Sequence, residues 1–325
     1  MRNKRNIAIS IPTGIGAEFG GYAGDFGYIA REFAKYFYVL INPNAVNGGI
    51  LSAINQNMAY MEGYLFDEFF SGNISITPKK TNETNKIGVI FDCSIKQEIL
   101  NVHLNTLNAI KMVQGIETIA IEYTKKPVGV ECEIKNGISF GKLENPETLL
   151  IASQNLIKKG ADAIAVVCNF NDDQDDESYS AANGVDPVGG IEAVISHLIA
   201  KEFHIPVAHA PAFNSVDIAL KPSHPKVSSE MISSTYLPCI MQGLAIAPKI
   251  CQNNCGEISN KNIEYLIVPY GAVGSKAVIL SQKSGIKIVA VKNNTELDVS
   301  STKMHIGLYD YFESYEQCLR KIIQK

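Results

Sequence analysis

The 325-residue sequence has no apolar run long enough to act as an export signal or to span a membrane. Its basic start, MRNKRN, leads only into the short stretch Ile7–Ile11 before Pro12. A soluble, cytoplasmic protein with no membrane partner is expected. A basic stripe is missing too: 29 Lys and Arg stand against 33 Asp and Glu, for a net charge of −4. Neutralising nucleic-acid phosphates takes clustered cations, so nucleic acid is not an expected partner. No internal repeat stands out. A disulfide framework is not expected either, because the seven cysteines are odd in number in a long chain without an export signal. Cys251 and Cys255 form CQNNC, but a zinc site wants a second pair or closely spaced histidines, so they read as loop thiols.

What is present is 46% hydrophobic residues, enough for one large or two moderate cores. Eight β-rich runs recur at 7–11, 38–42, 87–92, 117–123, 162–168, 205–210, 264–269 and 286–291. They are nearly continuous in Ile, Val and Ala, as in strands buried on both faces of a parallel sheet. Helical periodicity marks 96–113, 147–160, 189–203 and the C-terminal YEQCLRKIIQK. The alternation predicts an α/β fold with mostly parallel, Rossmann-like doubly wound sheets and a cleft. The chain reads as one unit, with lobes of 1–80 plus the C-terminal strands and of 86–215; the polar stretch 76–86 is the candidate connector.

In such folds, ligands bind outside the carboxyl ends of the strands. After the first run comes PTGIGAEFGGYAGD, with Thr13, Gly14, Gly16, Glu18 and Asp25. Its Gly14, Gly16 and Gly20 are one residue too widely spaced for the dinucleotide fingerprint, and no Walker-type lysine follows. Its amides suit an anion-holding nest or a set of tight turns. Glu18 and Asp25 would repel a phosphate unless a metal or lysine intervened. After the second run come Asn44 and Asn47. PYGAVGSKA, with Gly271, Gly274, Ser275 and Lys276, is the better anion candidate. His209 ends the sixth run and can act as acid, base or ligand. Asp186 precedes a helix whose first-turn Glu192 complements the dipole. His197, five residues on, reads as a packed or partly exposed helix histidine. NDDQDDES (171–178) is either a solvated lid or a site for Mg²⁺ or Ca²⁺.

The VVCN stretch is similar to the cysteine-asparagine motif of the aspartate/glutamate racemase superfamily, in which two thiols work on opposite faces of a Cα–H. Cys93 and Cys168 would be that pair, although the usual threonine-alanine is absent. A second resemblance covers about residues 7–300. PTGIGAEFGGYAGD, NPNAVNGG, MEGYLFDEF, GADAIAVV, GVDPVGGIEAVISHL, IPVAHAP and TYLPCIMQGLAIAP together resemble the family called domain of unknown function 3326, found in bacteria and plastids. It implies no reaction. It puts weight on Thr13, Gly14, Gly16, Glu18, Asp25, Asn44, Asn47, Glu62, Asp67, Asp186, Glu192 and His209.

The expected function is non-redox acid/base chemistry on a small polar or anionic metabolite. His209 would serve with Glu18, Asp25 or Asp186, the carboxylates also suiting a divalent metal. Thr13, Gly14, Gly16, Asn44, Asn47, Gly271, Gly274, Ser275 and Lys276 would bind the ligand. The alternatives are a non-catalytic metabolite- or nucleotide-binding protein and the two-cysteine racemase-like enzyme. A homo-oligomer is compatible with either.

Overall fold

The computed structural model describes residues 4–11, 26–135, 138–170, 180–181, 186–214, 222–225, 227–253, 255–292 and 309–324. Thr13, Gly14, Gly16, Glu18, Asp25 and the acidic loop 171–178 lie outside the described residues. Two parallel sheets carry the fold. The larger has six strands: β1 (Asn6–Ile9), β2 (Tyr38–Ile41), β5 (Met58–Tyr60), β14 (Ile263–Pro269), β15 (Lys287–Val291) and β16 (Asp310–Phe312), ordered β16-β15-β14-β1-β2-β5. The smaller has β7 (Ile87–Phe91), β8 (Thr118–Tyr123), β11 (Ala163–Phe170) and β12 (Val207–Phe213), ordered β12-β11-β7-β8. All eight expected runs are strands of these sheets. In β1 and β11 their continuous apolar character has the expected cause: Ile7, Ala8, Ile9, Ile164, Ala165 and Val166 are all fully buried, so both faces of these strands are covered. The edge strand β8 departs from it, with Ile119 and Tyr123 exposed.

Helices supply that cover. The four expected ones are α3 (Gln97–Gln114), α4 (Glu147–Lys158), α5 (Gly189–Phe203) and α9 (Tyr315–Ile323). The structure adds α1 (Gly27–Ala34), α2 (Gly63–Ser71), the one-turn α6 (Ser228–Met231), α7 (Leu237–Ile246) and α8 (Lys276–Lys283). None of the described helices is long and apolar enough to cross a membrane. Helix α7 packs on β5 in the large sheet and on β11 and β12 in the small one. Gly243 lets it do so: a Cβ there would lie 2.5 Å from the Tyr60 ring. Three antiparallel pairs complete the fold: β3 (Asn47–Gly48) with β4 (Leu51–Ser52), β6 (Ile74–Thr77) with β13 (Lys249–Gln252), and β9 (Val130–Lys135) with β10 (Ile138–Leu143). The last is a hairpin seated on the start of α5. There Gly190 donates its N–H to Ser139 Oγ at 3.0 Å, and a Cβ would meet the Ser139 carbonyl at 2.2 Å.

Polar side chains fix the strand ends. Ile11 N–H donates to Asn42 Oδ1 at 2.9 Å and Asn42 Nδ2 donates to the Ile11 carbonyl at 2.6 Å, so one amide stitches the ends of β1 and β2. The buried Asp92 carboxylate accepts from the N–H groups of Ser94, Val128 and Asn169, tying the end of β7 to β11 and to the approach to the hairpin.

Candidate functional site

A cavity of about 540 Å³ opens beside the carboxyl ends of β1, β2, β5 and β12 and the N-termini of α2, α5 and α8. That is the ordinary size of a small-molecule site. Of the residues singled out in the sequence, Asn44, Asn47, Asp186, His209, Ser275 and Lys276 line it, as do Glu62, Asp67, Glu192 and His197. Gly271 and Gly274 belong to the turn before α8 and are not among its lining residues. Among the described residues, the lining atoms Asn44 Nδ2, Asn47 Oδ1 and Ser275 Oγ are buried without a hydrogen-bond partner. Ser275 stands at the N-cap of α8 without capping it, so among the described residues the first amides of that helix carry no side-chain acceptor.

The floor is built around Glu62, two residues past β5 and 3% exposed. As the N-cap of α2, its Oε2 accepts from the Tyr64 N–H at 2.7 Å and the Leu65 N–H at 3.3 Å. Its Oε1 accepts the Ser196 hydroxyl at 3.1 Å and forms an ion pair with His197 Nδ1. Ser196 Oγ lies 3.0 Å from His209 Nδ1, and His209 Nε2 lies 3.7 Å from Glu192 Oε2. The array therefore runs Glu192, His209, Ser196, Glu62, His197. Three of its members share α5, and His209 projects from the edge strand β12. At the other end, Lys276 pairs with Asp67 of α2 at 3.1 Å.

The charges largely answer one another. Burial, with Asp186 and Glu230 nearby, holds the Glu192 carboxyl well above the ordinary range, which favours its protonated form. Burial, helped by His197, drives His209 down to about 3, so the ring is uncharged. For His197, burial pulls down, but the Glu62 partner outweighs it and the net shift is upward. Burial raises Asp67 against the pull of Lys276. In these favoured forms Glu192 and His209 face each other as an uncharged acid and an uncharged imidazole.

The structure sharpens three sequence readings. Glu192, in the first turn of α5 as expected, is a half-buried group that faces His209. His197 is the counter-ion of Glu62. Asp186 spends Oδ1 on the N–H groups of Val188 and Gly189, opening α5. Cys93 is exposed and Cys168 buried, neither lines the cavity, and burial pushes the Cys168 thiol well up. Among the described residues no group of three or more His, Cys, Asp and Glu is arranged to hold a metal ion.

Comparison with known proteins adds ancestry. The family described as Protein of unknown function (DUF3326) matches residues 6–322. An uncharacterised lipoprotein of Synechococcus sp. is 36% identical over 298 residues, which cover 89% of this chain and 82% of that protein. No solved structure matches.

Proposed function

We propose that this chain, which belongs to the DUF3326 family, is an enzyme that moves a proton on a small polar metabolite, as an isomerase, a lyase or a group-transfer enzyme would. The observation that carries the reading is the Glu192–His209 pair inside the cavity. A carboxyl held toward its protonated form beside an uncharged imidazole is matched for donation at one substrate atom and acceptance at another. The unpartnered atoms of Asn44, Asn47 and Ser275 would orient the ligand. Lys276 and the free first amides of α8 would receive an anionic group. Neither thiol of the racemase-like alternative is among the residues that line this cavity.

A thermal-shift panel of small carboxylates, phosphate esters, amines, nucleotides and divalent salts identifies a ligand class by selective stabilisation. The stabilising compound is then incubated with protein in D₂O and followed by proton NMR for C–H to C–D exchange or conversion. Wild type is expected to catalyse it. Glu192→Gln and His209→Asn are expected to keep the thermal shift and lose 10²-fold or more in rate, roughly the worth of a general acid or base. Full turnover in both variants would remove the assignment. Binding without exchange or conversion in wild type would favour the second reading, a metabolite-binding protein, which the same unpartnered atoms also serve.

A further inference from the structure

We propose that Ser196, Glu62 and His197 form a proton-ordering line that puts the single ring hydrogen of His209 on Nδ1 and leaves Nε2 as an acceptor facing the cavity. Its catalytic meaning rests on the acid–base reading above; the ordering itself belongs to the resting protein.

The derivation starts from Glu62. An ionised carboxylate only accepts hydrogen bonds. Its Oε2 is taken by two amides of α2, and its Oε1 by the Ser196 hydroxyl and by His197. Ser196 has one hydrogen and four neighbouring acceptors. These are Glu62 Oε1 at 3.1 Å, the Ala193 carbonyl at 3.3 Å, the Glu192 carbonyl at 3.5 Å and His209 Nδ1 at 3.0 Å. The carboxylate is the strongest of them, because a charge-assisted bond is about twice a neutral one. With the hydroxyl hydrogen committed to Glu62, the Ser196 oxygen offers only lone pairs to His209. The 3.0 Å contact then needs a hydrogen, and Nδ1 must supply it. An uncharged ring with its hydrogen on Nδ1 has a bare Nε2. That nitrogen faces Glu192 Oε2, whose carboxyl favours its protonated form. His197 acts at the far end as a positioning residue: its Nδ1 pairs with the same Glu62 oxygen that accepts the Ser196 hydroxyl.

One substitution reverses the line. Glu62→Gln keeps an acceptor oxygen for the α2 amides and turns an NH₂ group toward Ser196. The Ser196 hydrogen then turns to His209 Nδ1, which at 3.0 Å is nearer than the Ala193 and Glu192 carbonyls at 3.3 and 3.5 Å, and the ring hydrogen moves to Nε2. The experiment is long-range ¹H–¹⁵N NMR on ¹⁵N-histidine-labelled full-length protein, with His209→Asn assigning the resonances. Wild type is expected to show the Nδ1–H form, Glu62→Gln the Nε2–H form, and Ser196→Ala the loss of a pure Nδ1–H state. An Nε2–H form in wild type, or an unchanged Nδ1–H form in the folded variants, overturns the proposal. If Glu62→Gln does not fold, Ser196→Ala decides alone. No substrate enters these spectra, so failure of the acid–base reading would leave the tautomer result standing. A purely structural role for Glu62 and Ser196 would alter stability and leave the tautomer alone.

Discussion

At the scale of single residues, the same groups that fit Glu192 and His209 for chemistry tax the fold in opposite pH ranges. The folded pKa of Glu192 is raised, so the folded state holds a proton that the unfolded state releases near its ordinary value of about 4.3. Stability from this group is whole below that value and is lost as pH rises toward the folded pKa. Glu192→Gln is therefore expected to raise the melting temperature at pH 8, on the order of 2 °C or more, and by less at pH 4.5. An equal gain at both values would contradict the buried, protonated acid. His209 works the other way. Its folded pKa is about 3 and its unfolded value about 6.5, so stability is whole above 6.5 and falls as pH drops between them. His103, lowered to about 4 by burial, adds to that acid limb, and melts of His209→Asn should show a shallower one. His209 was singled out in the sequence as the end of an apolar run; β12 continues to Phe213, so it stands within the strand, and the structure places it in the cavity lining. Glu192 stands in the first turn of α5 as the sequence indicated, but its approach to His209 and the contacts of Ser196 were not legible, because a first-turn acid and a helical serine look alike on the surface and beneath a neighbouring strand. Only tertiary burial separates them.

At the scale of elements, α5 decides whether the array assembles, since Glu192, Ser196 and His197 occupy one and a half turns of it. Its start is held by Asp186 and pressed by the β9–β10 hairpin at Gly190. Gly190→Ala would put a methyl group into the Ser139 backbone. A loss of about 1–3 kcal/mol in stability is expected, the usual cost of overpacking, together with a weaker thermal shift from any cavity ligand. Wild-type values for both would show that the hairpin does not set the position of α5. The long elements were readable: α5 carries apolar residues at helical spacing, and all eight β-rich runs are strands. Strands β5 and β16 have three residues each, too few to show a period. Helix α2 begins at Gly63 after a glutamate cap, and Glu62 gives no capping signal of the Ser, Thr, Asp or Asn kind.

At the scale of the molecule, two apolar clusters hold the sheets together, and each draws on both. Ile7, Val39, Val89 and Val167 meet in one; Ala8, Leu40, Ile90 and Val166 meet in the other. Neither sheet keeps a private core, so calorimetry is expected to give one transition with equal calorimetric and van't Hoff enthalpies. Two resolved transitions would mean the sheets melt separately. The fold class was readable from strand–helix alternation, but the division of the strands between two sheets was not. Periodicity reports what covers a strand and says nothing of which strand lies beside it. The order of the six-stranded sheet has a consequence during synthesis. Strand β1 pairs with β14, Ala8 beside Leu266, across most of the chain, whereas β7, β8, β11 and β12 lie within residues 87–213. A chain leaving the ribosome can complete the small sheet while β1 still waits with one edge bare. The first strand made is thus among the last to be enclosed, and over that interval its unpaired backbone is the exposure a chaperone would have to cover.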